Sequence, residues 1–596
     1  MTTKKAKKSI LPETERLQIL QKKTIRDIFS NMGFQNISSE NTDFVYKSRR
    51  SEMDDMFILE NLIVICEYTV NKKPGDHLKE KKIIYDLINQ DSLGFLSFLV
   101  ENDIFPRLSV EINTGKYQRS QYVVVILYCS YYPIESEHKQ LVSGVHFFDR
   151  HIVEYFKMIS KAINKSSIYE FCQYTGVPSD QFGNNVLSAS TEQLDKFHAS
   201  ILPVEHNSMN IRSGFNVISF YIDAQALLRR IYVLRKECWR ADDGGYCYQR
   251  MIDAKKIRQM RKYLVERKRV FVNNIIATIA FEDIILKDNN DNQISINKEG
   301  YFYLQKKDNQ TKTITNIAPA KIEIKNAFNL IGIIDGQHRI YAYHEGVDEL
   351  EYEIAKMRIA QDLLVTAIVY PPSFSKQERL KFEARLFLDI NRTPTKVKEN
   401  LHQEIEHILE PFSSTSMSKD VIAKLNSNGP LENLFVRYSY DKDKIPTSSI
   451  VSYGLKSLIQ CDDSSLGLFH IWDHENKNQL AQKQCDDDAL KAEYIQFCAL
   501  KIIDLFVCLK KHYINDWHVY EGKTKTGRLT IGFINGMLSL LKNIIANKNH
   551  LYSQQEYEDK LANIEEFPFK EYGGSRYARM GKDLYEKYFM DEKDHE

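Results

Sequence analysis

The chain has 596 residues and sets 81 basic against 80 acidic side chains for a net charge of +1, so no global field draws it to nucleic acid or to a lipid surface. A 43% hydrophobic and 27% charged composition excludes a disordered or fibrous chain, and the length exceeds what one core supports, predicting an α/β multidomain protein of about three domains. Nine cysteines stand singly with no C-x-x-C pair, which argues against a disulfide framework and a zinc ribbon, and no apolar run approaches the roughly 20 residues that span a bilayer.

The opening "MTTKKAKKSILPETE" carries lysines with no apolar stretch behind them, so a secretory signal is not expected and the chain reads as cytoplasmic. Residues 13–32 have the apolar spacing of an amphipathic helix. Strand-like runs follow: "DFVYKS", "DMFIL", "NLIVICEYTV" and, after a helical stretch that begins near Leu78, "YVVVILYCS". Residues 1–170 therefore predict one α/β domain.

Within it, "DMFIL" and "NLIVICEYTV" flank Glu60-Asn61. If the two runs pair as an antiparallel hairpin centred there, Asp54 lies opposite Glu67, because both are equally far from the turn. Two facing carboxylates repel unless a cation sits between them, and Mg²⁺ is commonly held by one or two carboxylates together with substrate phosphate oxygens. A site for Mg²⁺ or Mn²⁺ on Asp54 and Glu67 is the expectation.

These residues resemble the PD-(D/E)xK nuclease superfamily, with an acid at the start of one strand and E-x-K at the end of the next. The resemblance implies a restriction-endonuclease-like fold in which Asp54 or Asp55 is the first acid and Glu67 the second. Thr69 stands where the family has its lysine, which orients or activates the attacking water; Lys72 or Lys73 is expected to substitute, with Glu52 or Lys79 completing the site. The resemblance continues through "YVVVILYCSYYPIE" to "FFDRHIVEYFKMISKAI".

The polar segment 171–210, with "GVPSDQFGNN", lacks periodicity and reads as a connector. A second α/β region, 211–430, begins at "GFNVISFYI", continues through "NNIIATIAF", "LIGII" and "DLLVTAIVYPP", and includes hairpins and loops in "LKDNNDNQISINKEGYFYLQKKDNQTKT". Here "LIGIIDGQHRIYAYHEG" runs a buried strand into Asp335-Gly336 and then a helix. Gly336 permits the tight turn, the Asp335 carboxylate is expected to cap the helix, and the helix start with His338 and Arg339 offers donors to a phosphate.

Asp335, Gly336, Gln337, His338 and Arg339 spell the DGQHR motif, and the region resembles the DndB-type proteins of DNA phosphorothioation systems and, more distantly, the ParB/sulfiredoxin-like fold. Two further blocks look like the same family: "YQRMIDAKKIRQMRKYL" with Gln249 and Arg250, and "RLFLDINRTPTKV" with Asp389, Asn391 and Thr393. The resemblance implies a loop that binds a nucleotide, ATP or GTP, or a nucleic-acid phosphate. It also implies a setting in phage defence or DNA modification, with DNA and proteins of a defence operon as partners.

"KKIRQMRKYLVERKR" holds eight basic residues and one acid, with Lys255, Arg258 and Lys262 on a face opposite Ile257, Met260 and Leu264. From about residue 400 the periodicity is helical, as in "FCALKIIDLFVCLKKHYI", and 431–596 reads as a helical region without the heptads of a coiled coil, leaving oligomerisation open. No Walker motif and no G-x-S-x-G appears, and His338 and His344 fall six apart, a poor spacing for a shared metal on one helix face. Three functional readings follow: a metal-dependent DNA nuclease gated by the DGQHR loop, a non-catalytic DNA-binding regulator with an inactive nuclease fold, or a DGQHR-domain nucleotide hydrolase.

Overall fold

The computed structural model describes residues 12–590 except 38, 40–41, 188–193, 204–214, 234–251, 298–299, 306–310, 371, 393–398, 438–440, 442, 463–466, 483–484, 521–526 and 574. It is a mixed α/β structure of two compact units. The first contains residues 1–240 and 250–379; the second contains residues 241–249 and 380–596. The change to a helical unit thus falls near Arg379, about fifty residues before the boundary expected at 430.

Among the described residues, eighteen strands run through the first unit. The N-terminal part holds β1 (Gln35–Ile37), β4 (Asp55–Leu59), β5 (Leu62–Thr69), β6 (Val123–Ser130) and β7 (Val145–Phe148), in sheet order β1-β4-β5-β6-β7, beside a separate ribbon of β2 (Phe44–Tyr46) and β3 (Arg49–Ser51). The β1, β4 and β5 neighbours are antiparallel, whereas β5, β6 and β7 run parallel. All eight residues of β5 are buried, which requires cover on both faces of the sheet. Helix α1 (Glu13–Met32) covers one face, where Phe29 stacks on Phe57 with ring centroids 4.4 Å apart. Helix α2 (Pro74–Gln90) covers the other, burying Leu78, Ile84, Tyr85 and Ile88 in the same core as Met56, Ile58, Ile63 and Ile65.

The central part is an 11-stranded sheet. Its strands are β8 (Leu194–Leu202), β9 (Asn216–Asp223), β10 (Ile231–Val233), β11 (Ile275–Ala280), β12 (Ile284–Lys287), β13 (Gln293–Ile296), β14 (Phe302–Gln305), β15 (Thr311–Thr313), β16 (Ala318–Lys325), β17 (Ile331–Asp335) and β18 (Asp362–Tyr370). They are ordered β10-β17-β11-β18-β9-β8-β16-β12-β13-β14-β15. The hairpins expected between Leu286 and Thr313 are the meander β12 to β15. The expected connector 171–210 is corrected: β8 pairs with both β16 and β9 inside the sheet. It escaped the periodicity test because its residues, "LDKFHASIL", are mostly half-exposed and carry charges on the solvent side.

Two buried guanidinium groups fix the chain after the DGQHR turn. Arg261, 1% exposed, donates to the Ala342 and His344 carbonyls and to Asp348 and Glu351, and Arg358 donates to the Tyr343 and His344 carbonyls and to Glu351. The same segment is tied to the N-terminal part: the Lys165 N–H donates to the Glu345 carbonyl at 3.1 Å, and the Glu345 N–H donates to Ser166 Oγ at 2.9 Å. The second unit is a helical bundle whose core is formed largely by Asp488–His512 and Ile531–Lys548. No helix among the described residues is long and apolar enough to cross a membrane.

His344 is 4% exposed beside Arg261, and burial first, then the Arg261 charge, lowers its pKa to about 4. The fold therefore holds the ring neutral, and its contribution to stability is complete above the unfolded value of about 6.5 and is lost as pH falls toward 4. Unfolding by urea at pH 7.5 and pH 5 is expected to show a loss of about 2 kcal/mol on acidification that shrinks in His344→Gln, and an unchanged pH slope in that variant would contradict this assignment.

Candidate functional site

The hairpin of β4 and β5 pairs Leu59 with Leu62 and Asp55 with Cys66, so Glu60 and Asn61 form a two-residue turn and the next step of the register sets Asp54 beside Glu67. Glu60 takes φ +54°, the positive value such tight turns require. Asn61 holds it there: fully buried, its amide donates to the Gln121 and Gln181 carbonyls at 2.6 and 2.9 Å and accepts from the Gly183 N–H at 2.8 Å. The expected hairpin centre is present, and the expected carboxylate pair follows from its register carried one step beyond Asp55 and Cys66.

The backbone ladder ends at this pair. Asp54 precedes the first residue of β4, and its carboxylate accepts the Tyr68 N–H at 2.7 Å. Glu67 is buried on the α2 face, and burial first, then the Asp54 charge, raises its pKa to about 8. Burial likewise raises Asp54, against the pull of the Tyr68 N–H and of the lysines Lys81 and Lys22. The Asp54 charge thus resists the ionisation of Glu67, a conflict that a cation relieves.

The first cation present is Lys81. It projects from α2, with Nζ 2.6 Å from Glu67 Oε1 and 3.4 Å from the Glu52 carbonyl. One turn earlier on the same helix face, His77 Nε2 lies 3.7 Å from Glu67 Oε1. Its Nδ1 is 2.9 Å from the Tyr128 hydroxyl, which donates to the Pro74 carbonyl at 2.8 Å. With that hydroxyl hydrogen committed, Nδ1 is the donor and Nε2 carries the lone pair toward Glu67. Burial and Lys81 both lower the His77 pKa, which favours this neutral form. Tyr85 completes the wall with a buried hydroxyl that has no hydrogen-bond partner among the described residues and a pKa raised by burial and by the Glu67 charge.

Several expected residues lie elsewhere. Asp55 is fully buried on the α1 face, where Arg26 grips both its oxygens at 2.8 Å, Asn36 donates at 3.0 Å and the Tyr68 hydroxyl at 2.8 Å. Its oxygens are spent on the scaffold, and the alternation of a strand places it opposite Asp54. Thr69 shares the Glu67 face and accepts the Asn71 N–H at 3.2 Å, closing the strand end. Lys72 and Lys73 are exposed and make no ion pair among the described residues, and Lys79 faces Asp76 at 3.8 Å. Glu52 is exposed and contributes its carbonyl to Lys81 rather than a carboxylate to the pair. The spacing of Lys81 and His77, four apart on one helix, was readable in the sequence, but their approach to Glu67 depends on how α2 crosses the sheet.

At the DGQHR turn, β17 ends in Asp335 and Gly336 turns at φ +102°, where a Cβ would stand 2.6 Å from Ile275 Cδ1. The expected Asp335 cap is corrected. The cap position is Gly336, with no side-chain cap bond, and the Asp335 carboxylate instead accepts from Arg339 at 2.6 Å. His338 Nε2 accepts the Asp253 N–H at 3.2 Å. Gln337 is fully buried and neither atom of its amide has a hydrogen-bond partner among the described residues, an unusual cost for a side chain with both donors and acceptors. Gln249, Arg250 and Thr393 lie outside the described residues; Asn391 lies in helix Lys376–Arg392, its side chain outside them, and Asp389 is exposed on that helix.

The acidic pair offers two oxygen ligands side by side, a donor set that suits a hard divalent ion completed by water or phosphate rather than a protein-only cage. Among the described residues no group of three or more histidine, cysteine, aspartate or glutamate side chains gathers at metal-binding distance. No family model matches the chain, and neither does any curated protein or solved structure.

The two neighbouring aspartates should separate cleanly in urea unfolding. Asp55→Ala strands Arg26, Asn36 and the Tyr68 hydroxyl and is expected to cost about 2–4 kcal/mol, whereas Asp54→Ala removes a repelled charge and one N–H acceptor and should move stability by less than about 1 kcal/mol. Equal losses in the two variants would overturn the division into scaffold and site residues.

Proposed function

We propose that the chain is a metal-dependent, DNA-directed nuclease with a restriction-endonuclease-like N-terminal domain and a ParB/sulfiredoxin-like DGQHR domain that binds a nucleotide or DNA phosphate. The observation that carries this reading is the placement of Asp54 beside Glu67 with the Lys81 ammonium 2.6 Å from Glu67. This constellation has the chemistry of an acid, acid, lysine site even though Thr69 fills the usual lysine position. In this reading the lysine comes from α2 instead of the strand.

Asp54 and Glu67 would hold Mg²⁺ or Mn²⁺, which when bound polarises a phosphoryl oxygen and lowers the pKa of water. Lys81, anchored by Glu67 and by the Glu52 carbonyl, places a positive donor beside the pair, where it orients a water molecule or offsets charge developing on the phosphate. The walls of Tyr85 and Tyr128 limit water around the carboxylates and strengthen each of these interactions. At the second site, the buried and unpartnered Gln337 amide beside Gly336 and Arg339 supports ligand binding by the DGQHR turn.

Supercoiled plasmid incubated with Mg²⁺ or Mn²⁺, with and without ATP or GTP, tests the reading. Wild type is expected to nick or linearise it, Asp54→Asn and Glu67→Gln to abolish cleavage, and Lys81→Ala to slow it by about 100-fold or more. Thr69→Lys placed in the Lys81→Ala background is expected to restore part of the loss. Absence of cleavage by wild type on plasmid, linear or single-stranded DNA would reject the nuclease and leave a non-catalytic DNA-binding regulator.

A further inference from the structure

The basic run "KKIRQMRKYLVERKR" forms helix Ala254–Arg267 and its C-terminal extension, and the structure sorts its cations into two groups. Arg261 is consumed in the buried cluster with Asp348 and Glu351, and Arg258 pairs with the exposed Glu349 at 3.2 Å. The other six, Lys255, Lys256, Lys262, Arg267, Lys268 and Arg269, are exposed and form no ion pair among the described residues. Ile257 and Leu264 bury the opposite side of the helix, which holds the charged face outward.

These positions are not chosen for the helix itself. Lys255 and Lys256 sit in the first turn, at the positive end of the helix dipole, where each cation costs roughly 0.3–1 kcal/mol. The Asp253 carboxylate caps that end by accepting both of their N–H groups, which keeps the helix formed despite the charge. In a chain with a net charge of only +1, six unpaired cations on one short element form a local positive field. The helix starts at the DGQHR turn, because the Asp253 N–H donates to His338.

We infer that this face is a docking surface for the phosphate backbone of double-stranded DNA, a contact separate from the Asp54–Glu67 site and one that would deliver duplex to the unit carrying it. Charge complementarity names phosphodiester as the partner chemistry. The shape of the element names the duplex: a B-form major groove about 12 Å wide admits an α-helix, whereas the corresponding groove of A-form RNA is too narrow and deep. The inference deepens the DNA-directed reading by adding a contact surface, and it stands or falls independently of cleavage.

The test measures binding of the full chain to a fluorescein-labelled 30-base-pair DNA duplex and to an RNA duplex of the same sequence, by anisotropy in EDTA from 50 to 200 mM salt. EDTA removes cleavage, so a failed nuclease and a failed docking face give different results. Lys255→Gln, Lys262→Gln and Arg269→Gln together are expected to weaken DNA binding at least tenfold and to reduce the slope of log K against log salt by roughly 3. A control with Lys424→Gln, Lys542→Gln and Lys570→Gln, surface lysines of the helical unit, is expected to bind like wild type. Circular dichroism melting confirms that both triple variants fold. Wild-type affinity and slope in the helix variant, equal weakening in the control, tighter binding to the RNA duplex, or no DNA binding by wild type would each overturn the proposal.

Discussion

The complete burial of β5 is the constraint from which the N-terminal site follows. A strand covered on both faces cannot slip by one residue without sending every side chain to the wrong side. Its register with β4 is therefore fixed, and Asn61 fixes the turn from which that register is counted. Glu67 is carried into the core by the same burial that stabilises the strand. Its carboxyl is pushed up to about 8 because it lies in that apolar setting next to Asp54, while Lys81 pulls the other way. The cost of placing an acid there is offset by apolar packing along Leu62 to Cys66, so the fold supplies the stability and the site spends part of it.

Arginines carry out the complementary task of holding buried acceptors in place, from the half-exposed Arg26 to the buried Arg261 and Arg358. Arg26 fixes Asp55 at the start of β4, and Arg261 and Arg358 saturate the carbonyls that follow the DGQHR helix. In each case a planar fork of donors satisfies several acceptors at once, which a lysine cannot do. The contrast within helix Ala254–Arg267 is instructive: the one cation turned inward is an arginine with a full set of acceptors, and the cations turned outward have almost none. A neutral overall balance conceals this division, since paired and unpaired charges count alike in a net total.

How much was legible in the sequence varies with the range of the interaction. The β4 and β5 hairpin is local: a two-residue turn between two apolar runs sets its own register, and from it the Asp54–Glu67 pair follows by counting. The choice between Asp54 and Asp55 is also one of alternation, but the donors that claim Asp55 come from Arg26 and Asn36, on other elements, so sequence alone kept both aspartates as candidates. Lys81 was hidden for the same reason, because a lysine fourteen residues beyond Glu67 has no pattern that ties it to the strand. The strand β8 lacked a signal because its place in the sheet rests on pairing with β9 and β16 rather than on its own apolar content. At the DGQHR turn the strand, the glycine and the helix start were all readable, while the partner of Asp335 was not: capping and an i to i+4 ion pair draw on the same carboxylate, and the arginine at the end of the motif takes it.

The replacement of a strand lysine by a helix lysine has a physical consequence beyond position. A lysine at Thr69 would share the β5 backbone with Glu67, so its distance from the acidic pair would be set by strand geometry alone. Lys81 instead reaches Glu67 across the packing between α2 and the sheet, and its distance depends on the contacts of Leu78, Ile84, Tyr85 and Ile88 with the core beneath them. Any change that shifts α2 moves the ammonium and the His77 ring together, because the two lie one turn apart on one face. Tyr128 restrains that shift from the sheet side by bonding both the His77 ring and the Pro74 carbonyl at the first residue of α2. The charge balance around Asp54 and Glu67 is thereby set by helix packing, which makes the core residues under α2 part of the site's electrostatics although none of them carries a charge.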